Sequence, residues 1–105
     1  MPIKRRDINH SAVKNALRSM GCRVCDTADL GKGVPDLLIS IPGIFMIWVE
    51  VKNGALAPSA QKLTEDEAKF HEIWKDDVII MRSVEDAIEF VNMTRRLESA
   101  QKLKR

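Results

Sequence analysis

The chain has 105 residues, 45% hydrophobic and 30% charged, with a formal net charge of +2, a length that supports a single core without disulfide or metal staples. No apolar run is long enough to span a membrane, and Met1 is followed by Lys4-Arg5-Arg6 and an amphipathic segment rather than by the apolar stretch of a secretory leader, so a cytoplasmic protein is expected. The mild basic excess permits contact with nucleic acid without requiring it.

Residues 9–20 are predicted to form a helix, because Ile8, Ala12, Val13, Ala16, Leu17 and Met20 recur at helical spacing and Gly21 follows. Residues 22–28 read as a strand that contains Cys22-Arg23-Val24-Cys25. The CxxC spacing invites a metal or redox reading, but a structural zinc site needs four ligands and the chain offers only His10 and His71 besides. Positions three apart on a strand also face opposite ways, so two ordinary reduced cysteines are expected.

After the Gly31-Lys32-Gly33 loop come two strands, about 36–41 and 44–52, separated by Pro42-Gly43 as hairpin punctuation. Residues 53–62 read as a loop. Thr64-Glu65-Asp66-Glu67 has the form of a capping box opening a second helix, to which Leu63, Phe70 and Trp74 give an apolar face. Val78-Ile79-Ile80-Met81 is a short buried strand. Ser83 caps a last helix with Val84, Ala87, Ile88 and Val91 as its core stripe. The order αβββαβα predicts an α/β domain, a mixed sheet flanked by helices.

The chemistry concentrates at Pro35-Asp36, thirteen residues, then Glu50-Val51-Lys52. Pro-Asp alone opens turns, and Glu-x-Lys alone is often a solvated strand edge. In this order, flanked by apolar strand formers, they have the form of the PD-(D/E)xK nuclease signature. A hard divalent cation takes oxygen ligands and keeps several waters, so Asp36 and Glu50 suffice when substrate phosphate supplies the rest. Residues 50 and 52 share a strand face, which places Lys52 to orient a water or stabilise charge on the phosphate. Register constrains this reading. A two-residue turn pairing Ile41 with Ile44 would give a pair sum of 85 and set Asp36 and Glu50 on opposite faces. A shared site requires an even sum such as 86, from an odd-length loop or a bulge.

The stretch from Gly31 to Ile39 resembles the "GxPD-apolar" segment of the VRR-NUC group, and Trp48-Val49-Glu50-Val51-Lys52-Asn53-Gly54 resembles its "(F/W)VE(V/L)K" strand. The likeness runs from about residue 8 to residue 92 and includes Leu63-Thr64 with Glu67 at a helix start and Ser83 with Glu85-Asp86-Ala87 near the close. The resemblance implies one VRR-NUC-like domain over 1–105, with a restriction-endonuclease-like core and a basic tail from about 95 to 105. It further implies Mg2+ or Mn2+ held by Asp36, Glu50 and the backbone carbonyl of Val51, and a homodimer acting on branched DNA such as Holliday junctions.

Two departures stand out. Where relatives in the group carry a glutamate on the first helix, counting back from Gly21 reaches His10; either His10 replaces that ligand or the ligand is absent. A position usually held by Gln falls at Glu67, or at Gln61 if the loop is counted differently. Glu67 has a second reading, as the member of the capping box that bonds the Thr64 amide.

Charge is uneven: Lys4, Arg5 and Arg6 cluster at one end, and Arg95, Arg96, Lys102, Lys104 and Arg105 at the other. With Lys32 these last are the candidate DNA-backbone contacts, the alternative being a solvated tail. Three function classes stay open: a metal-dependent structure-specific DNA endonuclease, a nucleic-acid-binding module of the same fold with weakened catalysis, and a small interaction domain in which Glu50 and Lys52 form a structural pair.

Overall fold

The computed structural model describes residues 8–104, Ile8 by its backbone alone. Lys4, Arg5, Arg6, Arg105 and the Ile8 side chain of the expected apolar stripe lie outside the described residues. The elements run α1 (Ile8–Ser19), β1 (Arg23–Asp26), β2 (Leu37–Ile41), β3 (Phe45–Val51), α2 (Glu65–Trp74), β4 (Val78–Met81) and α3 (Val84–Leu103), with 3-10 turns at Ala28–Leu30, Pro58–Gln61 and Lys75–Asp77. The expected αβββαβα order and mixed sheet are both present. Strands β1, β2 and β3 are antiparallel neighbours and β4 pairs with β3 in parallel.

The β2–β3 ladder pairs Leu37 with Val49, Ile39 with Ile47 and Ile41 with Phe45, a constant sum of 86. The connection is therefore the three residues Pro42, Gly43 and Ile44, closed by Ile44 N–H donating to the Ile41 carbonyl at 3.0 Å. Of the two routes to an even sum, the chain uses the odd-length loop.

Residues directly opposite on an antiparallel pair share a face, so the register sorts the sheet. Leu37, Ile39, Ile41, Ile47, Val49 and Val51 are buried against Val13 and Leu17 of α1 and Ala87 and Val91 of α3. The other face carries Trp48, whose indole meets Phe70 at 5.5 Å and Trp74 at 5.9 Å on α2, while those two rings stack at 5.3 Å. One long hydrophobic layer and one small aromatic layer hold the helices to the two faces.

The α3 stripe differs from expectation. Ala87, Val91 and Thr94 are its buried residues, and Ile88 is exposed, because the stripe set by Ala87 steps to 91 and 94 and leaves position 88 about 100° round the helix. The run from Arg95 onward is helical to Leu103. Gly33 explains the loop before Asp36. A Cβ there would lie 2.3 Å from the Asp66 carbonyl oxygen, and its φ is +81°, so only glycine lets the first turn of α2 rest on this loop.

Candidate active site

Asp36 stands one residue before β2, where the sum of 86 sets it opposite Glu50 at the end of β3. Its Oδ2 accepts the Val51 N–H at 2.8 Å, which extends the ladder by one side chain. The next amide, that of Lys52, donates the other way, to the Met81 carbonyl at 3.0 Å. Within one strand residue N–H and C=O point to the same side, so the Val51 carbonyl also faces Asp36. Asp36, Glu50 and a backbone oxygen thus converge at one corner of the sheet.

Glu50 is 2% exposed, and its Oε1 is buried with no hydrogen-bond partner. Burial, with the neighbouring carboxylates of Asp36 and Glu67, pushes its carboxyl up to about 10. Acidic groups crowded into a dry corner with an orphaned oxygen are what a cation would relieve. Among the described residues no three His, Cys, Asp or Glu side chains form a ready-made ligand group. An ion at this corner would draw on Asp36, Glu50 and the Val51 carbonyl and complete its shell with water and substrate oxygens.

Lys52 Nζ donates to Glu67 Oε1 at 3.1 Å, both side chains being largely buried. The same Oε1 accepts the Thr64 amide at 2.8 Å, and the Glu67 amide donates to Thr64 Oγ1 at 3.2 Å. Both readings of Glu67 therefore hold: it closes the capping box and it holds the lysine. Burial would raise its carboxyl, but the Thr64 amide and Lys52 outweigh that and draw it below its ordinary value. The helix start and the site are tied by one carboxylate.

His10 sits elsewhere. It is 4% exposed, and its Nε2 lies 3.0 Å from Asp26 Oδ2, which also accepts Lys14 Nζ at 3.1 Å. Asp26 pairs with Leu37 in the ladder, which places this cluster on the α1 face, across the sheet from Glu50. Burial acts to raise the Asp26 carboxyl, and the bonds from His10, the Ala28 amide and Lys14 overcome it and hold it well below the ordinary range. Positions 10, 13 and 17 share one buried stripe at i, i+3 and i+7; that spacing was the signal for an interior His10.

Gln61 is occupied at both ends of its amide. Its Nε2 donates to the Leu56 carbonyl at 2.7 Å and its Oε1 accepts from Arg82 Nε at 3.0 Å, so it braces the loop after Lys52. Lys32 is exposed beside Gly33. Arg95, Arg96, Lys102 and Lys104 are exposed along α3, well away from the carboxylates.

Three contributors went unseen in the sequence. Asn9 Nδ2 donates to the Lys52 carbonyl at 2.7 Å and the Arg82 carbonyl at 2.9 Å, clamping the start of α1 onto the ends of β3 and β4. Asp26 fixes His10. His71, one turn after Glu67, has a buried Nε2 without a partner; burial lowers its pKa, with Lys52 acting in the same sense and Glu67 against it. The i+4 spacing from Glu67 marks His71 in the sequence, whereas the Asn9 contacts have no local signature.

No family model matches the chain, and neither a curated protein nor a solved structure matches it.

Proposed function

We propose that this chain is a metal-dependent DNA endonuclease of the VRR-NUC type, with Asp36, Glu50 and the Val51 carbonyl as the ligands of Mg2+ or Mn2+ and Lys52 as the adjoining cation. The observation that carries the reading is the even register: it brings Asp36 and Glu50 to one face, with the orphaned Glu50 Oε1 between acidic neighbours. A bound divalent ion would supply charge neutralisation and a more acidic water. The Val51 amide fixes the Asp36 carboxylate, the β3 strand fixes Glu50 two residues from Lys52, and Glu67 keeps the ammonium of Lys52 beside them. Lys52 can then hold a phosphate oxygen or a water in place as charge develops. The restriction-endonuclease-like core, the homodimer and the preference for branched DNA belong to the same proposal, since one domain of this size scarcely spans a four-way junction.

One observation favours the alternative, a nucleic-acid-binding module with weakened catalysis: among the described residues α1 (Ile8–Ser19) contains no Asp or Glu, and His10 is committed to Asp26. Purified protein on linear, flap and four-way DNA with Mg2+ or Mn2+ decides. Nicking that requires the metal, and that Asp36→Ala, Glu50→Ala and Lys52→Ala each reduce at least about a hundredfold with DNA binding retained, supports the endonuclease. Binding without nicking leaves the module, and wild-type nicking by Glu50→Ala removes the assignment of the site.

A further inference from the structure

The molecule is electrically lopsided along its long axis. Asn9 meets Arg82 at the carboxylate end, and Arg95 Nη2 donates to the Met20 carbonyl at 2.6 Å at the other, so α1 and α3 lie side by side and run the same way. From Asn9 to Met20 is about 17 Å of helix, and α3 continues about 14 Å beyond Arg95. That projection lengthens the molecule, whose extents are 53 × 28 × 25 Å.

The distal end is basic on its α1 and α3 side, while Asp76 and Asp77 precede β4 toward the same end at the sheet edge opposite β1. Arg18 and Arg95 bracket the Met20–Val24 corner, bonding the carbonyls of Val24 and Met20, and Arg23 opens β1 beside them. Arg96, Lys102 and Lys104 line the projecting part of α3, where Glu98 is the one acid after Glu89. All six cations are exposed. Among the described residues none of them is paired with a carboxylate, whereas Lys14 and Lys52 are both neutralised by buried or half-buried acids. An array of unpaired cations spread over α1, β1 and α3 at one end of the molecule fits a polyanion with regularly spaced charges.

We propose that this distal end anchors the phosphate backbone of a duplex arm about 17–31 Å from the carboxylate corner, so that productive binding needs roughly 5–9 base pairs of duplex beyond the point of cutting at about 3.4 Å per pair. The proposal rests on the nuclease reading for the identity of the polyanion and deepens it by a substrate requirement: a minimum arm length.

The test is binding in EDTA, where cleavage cannot intervene. The probes are fluorescent four-way junctions whose arms, closed by hairpin loops, are 4 or 20 base pairs long. The wild-type protein should prefer the long-armed junction at least tenfold, and Arg96→Gln/Lys102→Gln/Lys104→Gln should lose that preference. Its affinity for the short-armed junction should stay within about twofold, with the log–log salt slope on long arms falling by about 2–3. Equal wild-type affinity for both lengths, a variant that keeps the preference, or tighter binding to phosphatidylserine vesicles than to duplex would overturn the anchor. An unchanged melting temperature of the variant confirms that its loss is not unfolding. Arm-length preference without Mg2+- or Mn2+-dependent nicking would keep the anchor and remove the nuclease reading.

Discussion

Among the described residues Glu50 carries the largest pKa displacement, and its sign gives a prediction. Its folded pKa is raised to about 10 by burial and by Asp36 and Glu67, far above that of an unfolded glutamate, so between these values the folded state holds a proton that the unfolded state has released. Stability without metal should therefore fall as pH rises, by up to about 1.4 kcal/mol per unit. His71 is lowered, so it is neutral in both states above its ordinary range, while burial raises the Cys22 thiol and adds a fall of the same sign toward pH 9, so pH 7–8 is the window that isolates Glu50. Glu50→Gln should flatten the pH dependence in that window and raise the metal-free melting temperature at pH 8, and it should lose the stabilisation by millimolar Mg2+ that the proposed site predicts for the wild type. Chemical denaturation at pH 7 and 8 checks both, and a parallel slope in the variant would refute the assignment. His10 obeys a different logic. Because it faces Asp26 and not Glu50, His10→Glu would set a carboxylate against a carboxylate, and Asp26→Ala would strand the imidazole. Each should destabilise by about 1–3 kcal/mol, and Asp26→Ala should leave the metal titration of the active corner unchanged.

At the scale of elements, α2 is held to the site by its first turn and by three rings, with no fully buried residue of its own. Its placement depends on the Gly33 loop. Gly33→Ala would drive a methyl group into the backbone of Asp66 and Glu67, the nearest atom at 2.3 Å. The loop or the helix must move, taking Glu67 away from Lys52. Gly31→Ala is the control, since that residue also has positive φ but open space around it. We expect Gly33→Ala to cost at least about 2 kcal/mol and to lower activity more than stability alone accounts for, with Gly31→Ala costing about 1 kcal/mol. Equal effects of the two substitutions would show that helix contact at Gly33 is unimportant.

The whole molecule is a small packed body with a helix that outruns it. Thr94 is the last buried residue of α3, and Leu97 and Leu103 are 60% and 87% exposed. Removing residues 97–105 should therefore shift the melting temperature by less than about 4 °C while lowering affinity for DNA at low salt. A large loss of stability would mean that the outer half of α3 is covered in solution, for example by a second copy of the chain. Among the described residues no helix is long and apolar enough to cross a membrane.

The elements were legible because their signals are local: periodicity set α1, the capping box set the start of α2, and Pro42-Gly43 set the hairpin. The pair Asp36 and Glu50 was legible too, since strand alternation allows only an even register to unite them. The partners were not. His10 is committed to Asp26 through the contact of a helix with a strand sixteen residues away, and Asn9 clamps carbonyls 43 and 73 residues distant; no local pattern encodes either. The sequence by itself determined which face each strand residue takes and which helix positions share a stripe, because a backbone period of two or 3.6 fixes both. Only the tertiary structure decided that Lys52 is held by Glu67, that the basic residues of α3 stand a helix length from the carboxylates, and that His10 lies across the sheet, because those facts depend on how the packed helices meet the two faces.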